Sequence, residues 1–218
     1  MMTDDKSPVT PSRVKKLLIP VGIGGCAGFA ASFAALRFID SGAVGGLDES
    51  ATIAVLIGML YALIGLGITV GVASPKAGAQ FLNVEDADEL REQKKVLILS
   101  ATAMALWGIS LAVLALAVPA GPVPQAAGLV AGAAGLVIGG WLSFAVHRAS
   151  DELMRAVNLE AGSLSYGLVM LVGGTWAMLA HLGYAAAPAP LDWLSLLYVL
   201  VLVASFIVVG RRGMLVPR

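Results

Sequence analysis

Six stretches of predominantly apolar residues follow one another along the chain: Leu17–Ile39, Ala51–Ala73, Val96–Val118, Gln125–His147, Leu164–Ala186 and Leu191–Gly210. Each has the roughly 20 residues that a helix needs to cross the hydrocarbon core of a bilayer. Hydrocarbon offers no partner to a backbone N–H or C=O, so only helices and closed barrels span it. These runs are continuous, without the strict alternation of a barrel strand, which leaves helices. Composition agrees: 13% of residues are charged, against roughly 25% in a soluble domain. The expected fold is an all-α membrane protein of six transmembrane helices. Residues 1–16 and 211–218 form short tails around a bundle at 17–210. The first stretch follows Asp4 and Asp5 and precedes no small-residue cleavage pattern, so it is expected to be retained as a helix.

Lys and Arg near the ends of spans favour the cytoplasmic face. The N-terminal tail holds Lys6, Arg13, Lys15 and Lys16; the second connection Lys76, Arg91, Lys94 and Lys95; the fourth Arg148 and Arg155; the C-terminal tail Arg211, Arg212 and Arg218. With six spans, all of these fall on one side. The opposite connections, 40–50, 119–124 and 187–190, contain no Lys or Arg. Arg37 is the exception, close enough to its helix end to snorkel. Both termini are expected to be cytoplasmic.

Pro119, Pro122 and Pro124, then Pro188 and Pro190, make the second and third outer connections tight turns. Short links pair the helices as three antiparallel hairpins. Two related segments stand at the feet of hairpins two and three. Asp88-Glu89-Leu90-Arg91 runs into Val96–Ser100, and Asp151-Glu152-Leu153-Met154-Arg155 runs into Leu159–Ser163. Aligning the Asp-Glu-Leu triplets superimposes Ser100 on Ser163. Asn83 is a candidate cap for the first stem and Ser150 for the second. No strong breaker follows either cap, so helices 3 and 5 are each expected to run for about 30 residues and to project from the bilayer. Pairs at three- and four-residue spacing, Asp88 with Arg91, Glu92 with Lys95 and Asp151 with Arg155, would support them.

Small residues recur every four positions at Gly24 and Gly28, Gly67 and Gly71, Gly128 and Gly132, and Gly135 and Gly139. Such spacing lets helix backbones approach closely. Packing within the chain is the simplest use; a homodimer face or a lipid groove is the alternative.

No Asp, Glu or Lys stands in the middle of a span, where ion-coupled carriers place them. His147, His181 and the lone Cys26 are too far apart to share a metal, and no phosphate loop is present. No serine has a base arranged beside it for nucleophilic catalysis. The chain is accordingly read as non-enzymatic, without metal or cofactor, and its zero net charge gives no case for direct nucleic-acid binding. Ser100, Thr102, Trp107 and Ser110 in helix 3, with Ser163, Ser165, Tyr166, Thr175 and Trp176 in helix 5, form polar traces suited to interhelical hydrogen bonds. Trp193, Tyr184 and Tyr198 read as interface anchors or packing residues.

The last hairpin carries Asp151-Glu152-Leu153, Arg155, Leu159-Glu160-Ala161, Tyr166-Gly167, Pro188 and Pro190, Trp193 and Arg211-Arg212. It resembles a two-span hairpin of small bacterial membrane proteins of unassigned function. Proteins of this sort look like companions of small helix-turn-helix regulators. The resemblance implies a bacterial inner-membrane protein that holds a regulator at the membrane, contacting it through Asp88, Glu89, Arg91, Asp151, Glu152, Arg155 and Glu160. Such a regulator or anchor would have two kinds of partner, the lipid bilayer and a cytoplasmic protein. A facilitative transporter or lipid-handling protein is the alternative, and predicts a cavity between helices lined by the Ser/Thr/Trp traces. A structural subunit of a larger membrane complex is the third reading.

Overall fold

The computed structural model describes residues 13–42, 47–74, 87–117 and 121–214, which are helical throughout their ordered elements. The helices are α1 (Arg13–Asp40), α2 (Glu49–Ala73), α3 (Ala87–Glu92), α4 (Lys94–Leu116), α5 (Gln125–Ala149), α6 (Glu152–His181) and α7 (Pro190–Arg211). Five of them, α2, α4, α5, α6 and α7, are long and apolar enough to cross a membrane. They coincide with the second to sixth expected spans, and α1 covers the first. Large apolar side chains such as Leu129, Leu136, Trp141, Leu159 and Leu171 stand on the outside of the bundle. That distribution is compatible with contact with lipid.

Glycine at the contacts decides which helices lie side by side. At Gly58 an added Cβ would stand 2.5 Å from the Gly108 carbonyl oxygen, and at Gly65 one would stand 2.6 Å from that of Ala101. Two antiparallel helices, α2 and α4, therefore touch backbone to backbone. On the other side of α4, Gly128 meets Ala117, Gly132 meets Leu114, Gly135 meets Ser110 and Gly139 meets the Trp107 indole. The α5 stripe read from the sequence is thus an intramolecular packing face. Gly71 is buried in α2, whereas Gly24, Gly28 and Gly67 face open space.

A small apolar core, Ala51, Ala54, Val55, Leu111 and Ala115, receives Leu191, Leu194 and Tyr198 from α7. This sets α7 beside α2, running the same way. Helix α6 packs along α7, with Trp193 over Gly173. Across the bundle the order is α5, α4, α2, α7, α6. Contact between α5 and α6 is slight, as is that between α1 and α2. Hairpins two and three are formed as expected; the first is loose, and the closest partner of α2 is α4.

Three expectations need correction. The first stem does not continue into its membrane helix. The chain bends at Gln93, so α3 is a separate helix of 6 residues and α4 starts afresh at Lys94. Of the two helices expected to run for about 30 residues only α6 does so, with one wider π turn over Val169–Gly173. The two Asp-Glu-Leu segments therefore occupy different structures.

The fifth span ends at His181, not Ala186. Gly183, at φ +79, allows its own N–H to reach the Ala180 carbonyl and that of Tyr184 to reach Leu179. This left-handed turn satisfies the carbonyls at the helix end. Nor does Ser150 cap the second stem. Its hydroxyl donates back to the Val146 carbonyl at 2.8 Å as α5 ends. The cap is Asp151, whose carboxylate accepts the Met154 N–H at 2.7 Å. Asn83, Pro119 and the chain termini lie outside the described residues.

Candidate functional site

The slight contact between α5 and α6 leaves a space inside the row of helices. A cavity of about 550 Å³ occupies it. The wall from α2 is Tyr61 and Ile64. From α4 come Ser100, Ala103, Met104 and Trp107, and from α7 the run from Val201 to Val209. Ser143 and His147 of α5 and Asn158 of α6 line the remaining side. Eight residues separate Val201 from Val209, a rise of about 12 Å along the helix. The cavity thus extends from mid-bundle to the end that carries the basic residues.

The mid-bundle end is closed by three aromatic side chains from three helices. Tyr61 donates its hydroxyl proton to the Tyr198 carbonyl at 2.7 Å, and Tyr198 donates to the Trp107 carbonyl at 3.4 Å. The Tyr61 and Tyr198 rings meet edge to face at 5.1 Å, and Trp107 lies 6.1 Å from Tyr198. Edge-to-face packing is the favoured arrangement for such rings. Gly139 makes room for the Trp107 indole, since any side chain there would overlap it. Tyr198 is therefore a packing residue inside the bundle, not an interface anchor.

The polar groups of the lining are Ser100, Ser143, His147, Asn158 and Ser205, with Ser143 one helical turn from Gly139, which touches Trp107. Two of these serines have committed their protons. The Ser143 hydroxyl donates to the Gly139 carbonyl at 2.9 Å and Ser205 to Val201 at 2.8 Å. A hydroxyl oxygen bonded in this way still has lone pairs to offer. Among the described residues no Lys, Arg, Asp or Glu lines the cavity.

The charged stem residues are drawn into structural tasks. Arg155, instead of pairing with Asp151, donates to the carbonyls of His147 at 3.1 Å and Arg148 at 2.9 Å. A cation placed on the last carbonyls of α5 satisfies acceptors that the helix itself cannot. This clamp holds α5 to α6 at the basic end of the cavity. Glu160 accepts two bonds from Arg212, at 2.7 and 2.9 Å, tying α6 to the end of α7. Asp88 and Arg91 pair at 2.6 Å on an exposed face, while Leu90 between them is buried. Glu152 is exposed, and the side chain of Glu89 lies outside the described set. The seven residues expected to form one docking surface are thus split between a short helix and the α5–α6–α7 foot.

Of the Ser/Thr/Trp traces, Ser100 and Trp107 line the cavity. Ser110 packs under Gly135, and Trp176 donates to the Ala186 carbonyl at 3.0 Å at the far end of α6. Ser163 and Thr175 are exposed on α6. Asn158, Ser143 and Ser205 were not legible as site residues, because nothing in the sequence brings α5, α6 and α7 around one space. Among the described residues no cluster of three metal-ligating side chains occurs. No family model, curated protein or solved structure matches the chain.

Proposed function

We propose that this protein holds an apolar or amphipathic small molecule inside a membrane bundle, as a non-enzymatic lipid-handling protein or facilitative carrier. The observation that carries this reading is the cavity: a space of about 550 Å³, mostly apolar, with a few polar groups in its lining. Ligand pockets commonly occupy roughly 300–1,000 Å³ and use a few placed polar groups to orient what they bind. The aromatic side chains stand at the mid-bundle end of the cavity, which reaches from there toward the basic end.

The membrane setting belongs to the same proposal. All six apolar helices, α1 included, cross a bacterial cytoplasmic membrane, with both termini at the inner face. The clustering of Lys and Arg at one end supports this orientation. The cavity then opens at the cytoplasmic half of the bilayer.

A second reading, a membrane anchor for a cytoplasmic regulator, retains support from the exposed Asp88, Arg91 and Glu152 and from the resemblance of the last hairpin. It loses part of its surface, since Asp151, Arg155 and Glu160 are engaged within the chain.

Native mass spectrometry of protein extracted gently from its own membrane tests the choice. The expected result is a bound small molecule that the cavity-filling substitution Val201→Phe displaces. A stoichiometric soluble protein with no such adduct would favour the anchor.

A further inference from the structure

We infer that the cavity opens sideways into the bilayer between α5 and α6, and that its occupant is an acyl chain of a lipid from the leaflet at the basic end. This rests on the reading of the cavity as a ligand site in a membrane bundle, and adds to it the class of occupant and the route of entry.

Helices α5 and α6 follow one another in the chain but pack on different partners. Gly128, Gly135 and Gly139 hold α5 along α4, whereas α6 lies along α7 with Trp193 over Gly173. The contact between α5 and α6 is slight, and the bonds that make it lie at the foot. Ser150 is buried there, and Arg155 reaches from the first turn of α6 to the carbonyls of His147 and Arg148. Exposure within the lining locates the opening. The lining residues of α2, α4 and α5 are buried or half-buried, whereas Asn158 of α6 and Val201 and Phe206 of α7 are exposed, Phe206 at 56%. The space is therefore open along the flank of α6 and α7, and tied at the foot.

The depth of this opening matches one leaflet. Val201 stands halfway along α7, and Val209 lies two residues before its end at Arg211. Between them the helix rises about 12 Å, against roughly 15 Å for half of a hydrocarbon core about 30 Å thick. Glu160 is bound to Arg212 at the level where α7 ends. Asn158, nearer the foot of α6, thus stands at the interface, and the rest of the opening faces acyl chains.

Lining and surroundings together select the occupant. Apolar spaces of this kind stay dry. Ser143 and Ser205 donate to the carbonyls of Gly139 and Val201 in their own helices, so both can face hydrocarbon without an unmade donor bond. Among the described residues no charged side chain lines the space. A lipid chain enters it from the side without crossing water. A ligand arriving from the aqueous phase would have to pass the foot, where Arg155 ties α5 to α6 and Glu160 ties α6 to the end of α7.

Two single-tryptophan proteins test the route. One keeps Trp107, with Trp141→Phe, Trp176→Phe and Trp193→Phe. The other keeps only Trp141, which stands on the outside of α5 at 64% exposure. Each is placed in nanodiscs of phosphatidylcholine with brominated chains, which quench tryptophan fluorescence on contact, and is separately titrated with acrylamide from the water. Brominated lipid is expected to take from Trp107 at least about half the share of emission that it takes from Trp141, and acrylamide little. Val201→Phe, checked for an unchanged circular dichroism spectrum and elution volume, should cut the loss at Trp107 by about half or more and leave Trp141 unaffected. Ser205→Phe, one turn along the same wall, replaces it if that check fails.

Lipid quenching of Trp107 that a folded filling variant does not reduce would overturn the inference, because the chain would then reach the indole from outside the cavity. Quenching by acrylamide in place of lipid would overturn the lateral route and the lipid occupant, and leave a ligand site open to water. A Trp107 reached by neither quencher would overturn the cavity reading as well.

Discussion

Gly58→Ala tests the packing that creates the cavity wall. The new Cβ would lie 2.5 Å from the Gly108 carbonyl oxygen and 2.9 Å from the Ala112 nitrogen, where ordinary contact begins at 3.4 Å. Both neighbours are backbone and cannot rotate away, so α2 and α4 must part locally by about 0.9 Å. A gap of roughly 0.5–1 Å forfeits a quarter to a half of each contact's dispersion energy. Overpacking of this kind costs about 1–3 kcal/mol. Alanine returns up to about 1 kcal/mol through helix propensity. Gly67→Ala supplies the control, since it lies in the same helix with nothing within 4 Å. It shares the propensity gain without the clash, so the difference between the two variants isolates the crossing. Unfolding in mixed micelles by SDS titration, followed by circular dichroism, should show Gly58→Ala less stable than Gly67→Ala by about 1–3 kcal/mol. Equal stabilities would refute the backbone contact between α2 and α4.

Tyr61→Phe removes the 2.7 Å bond to the Tyr198 carbonyl and should cost about 1 kcal/mol in the same titration; an unchanged midpoint would show that this bond contributes nothing to the closure. Arg155→Ala frees the carbonyls of His147 and Arg148, so hydrogen exchange should quicken at the end of α5 and the start of α6. Unaltered protection at both would argue against the clamp. In a Cys26→Ser background, Tyr184→Cys should react with an impermeant thiol reagent on intact cells, and Arg148→Cys only after the membrane is opened. The reverse pattern would invert the proposed orientation.

The helical class and the positions of the apolar helices were legible because each rests on local composition. So was the α5 stripe, where Gly128, Gly132, Gly135 and Gly139 all meet α4. The tighter crossing at Gly58, Gly65 and Gly108 was missed, although Gly58 and Gly65 stand seven residues apart on one face of α2. Gly183 was a stop signal in plain view, the left-handed position that ends α6. The bend at Gln93 had no such signal: Glu92, Gln93, Lys94 and Lys95 all favour helix, and no residue there accounts for the break.

The site was the least legible part. Sequence spacing shows only neighbours on the same helix, such as Asp88 and Arg91, which do pair. Two of the stem charges reach further than such spacing can show: Glu160 meets Arg212, and Arg155 meets the backbone of the preceding helix. The cavity depends on α7 lying against α2 while α5 stands apart from α6. No local pattern encodes that arrangement.

The central claim is that the space between α5 and α7 holds a ligand. A cryo-EM map of the protein taken from its own membrane, at a resolution that shows side chains, tests it most directly. The account predicts elongated non-protein density reaching from Asn158 and His147 to Trp107. A map in which α5 closes against α6 and α7, with side chains filling the space, would contradict it.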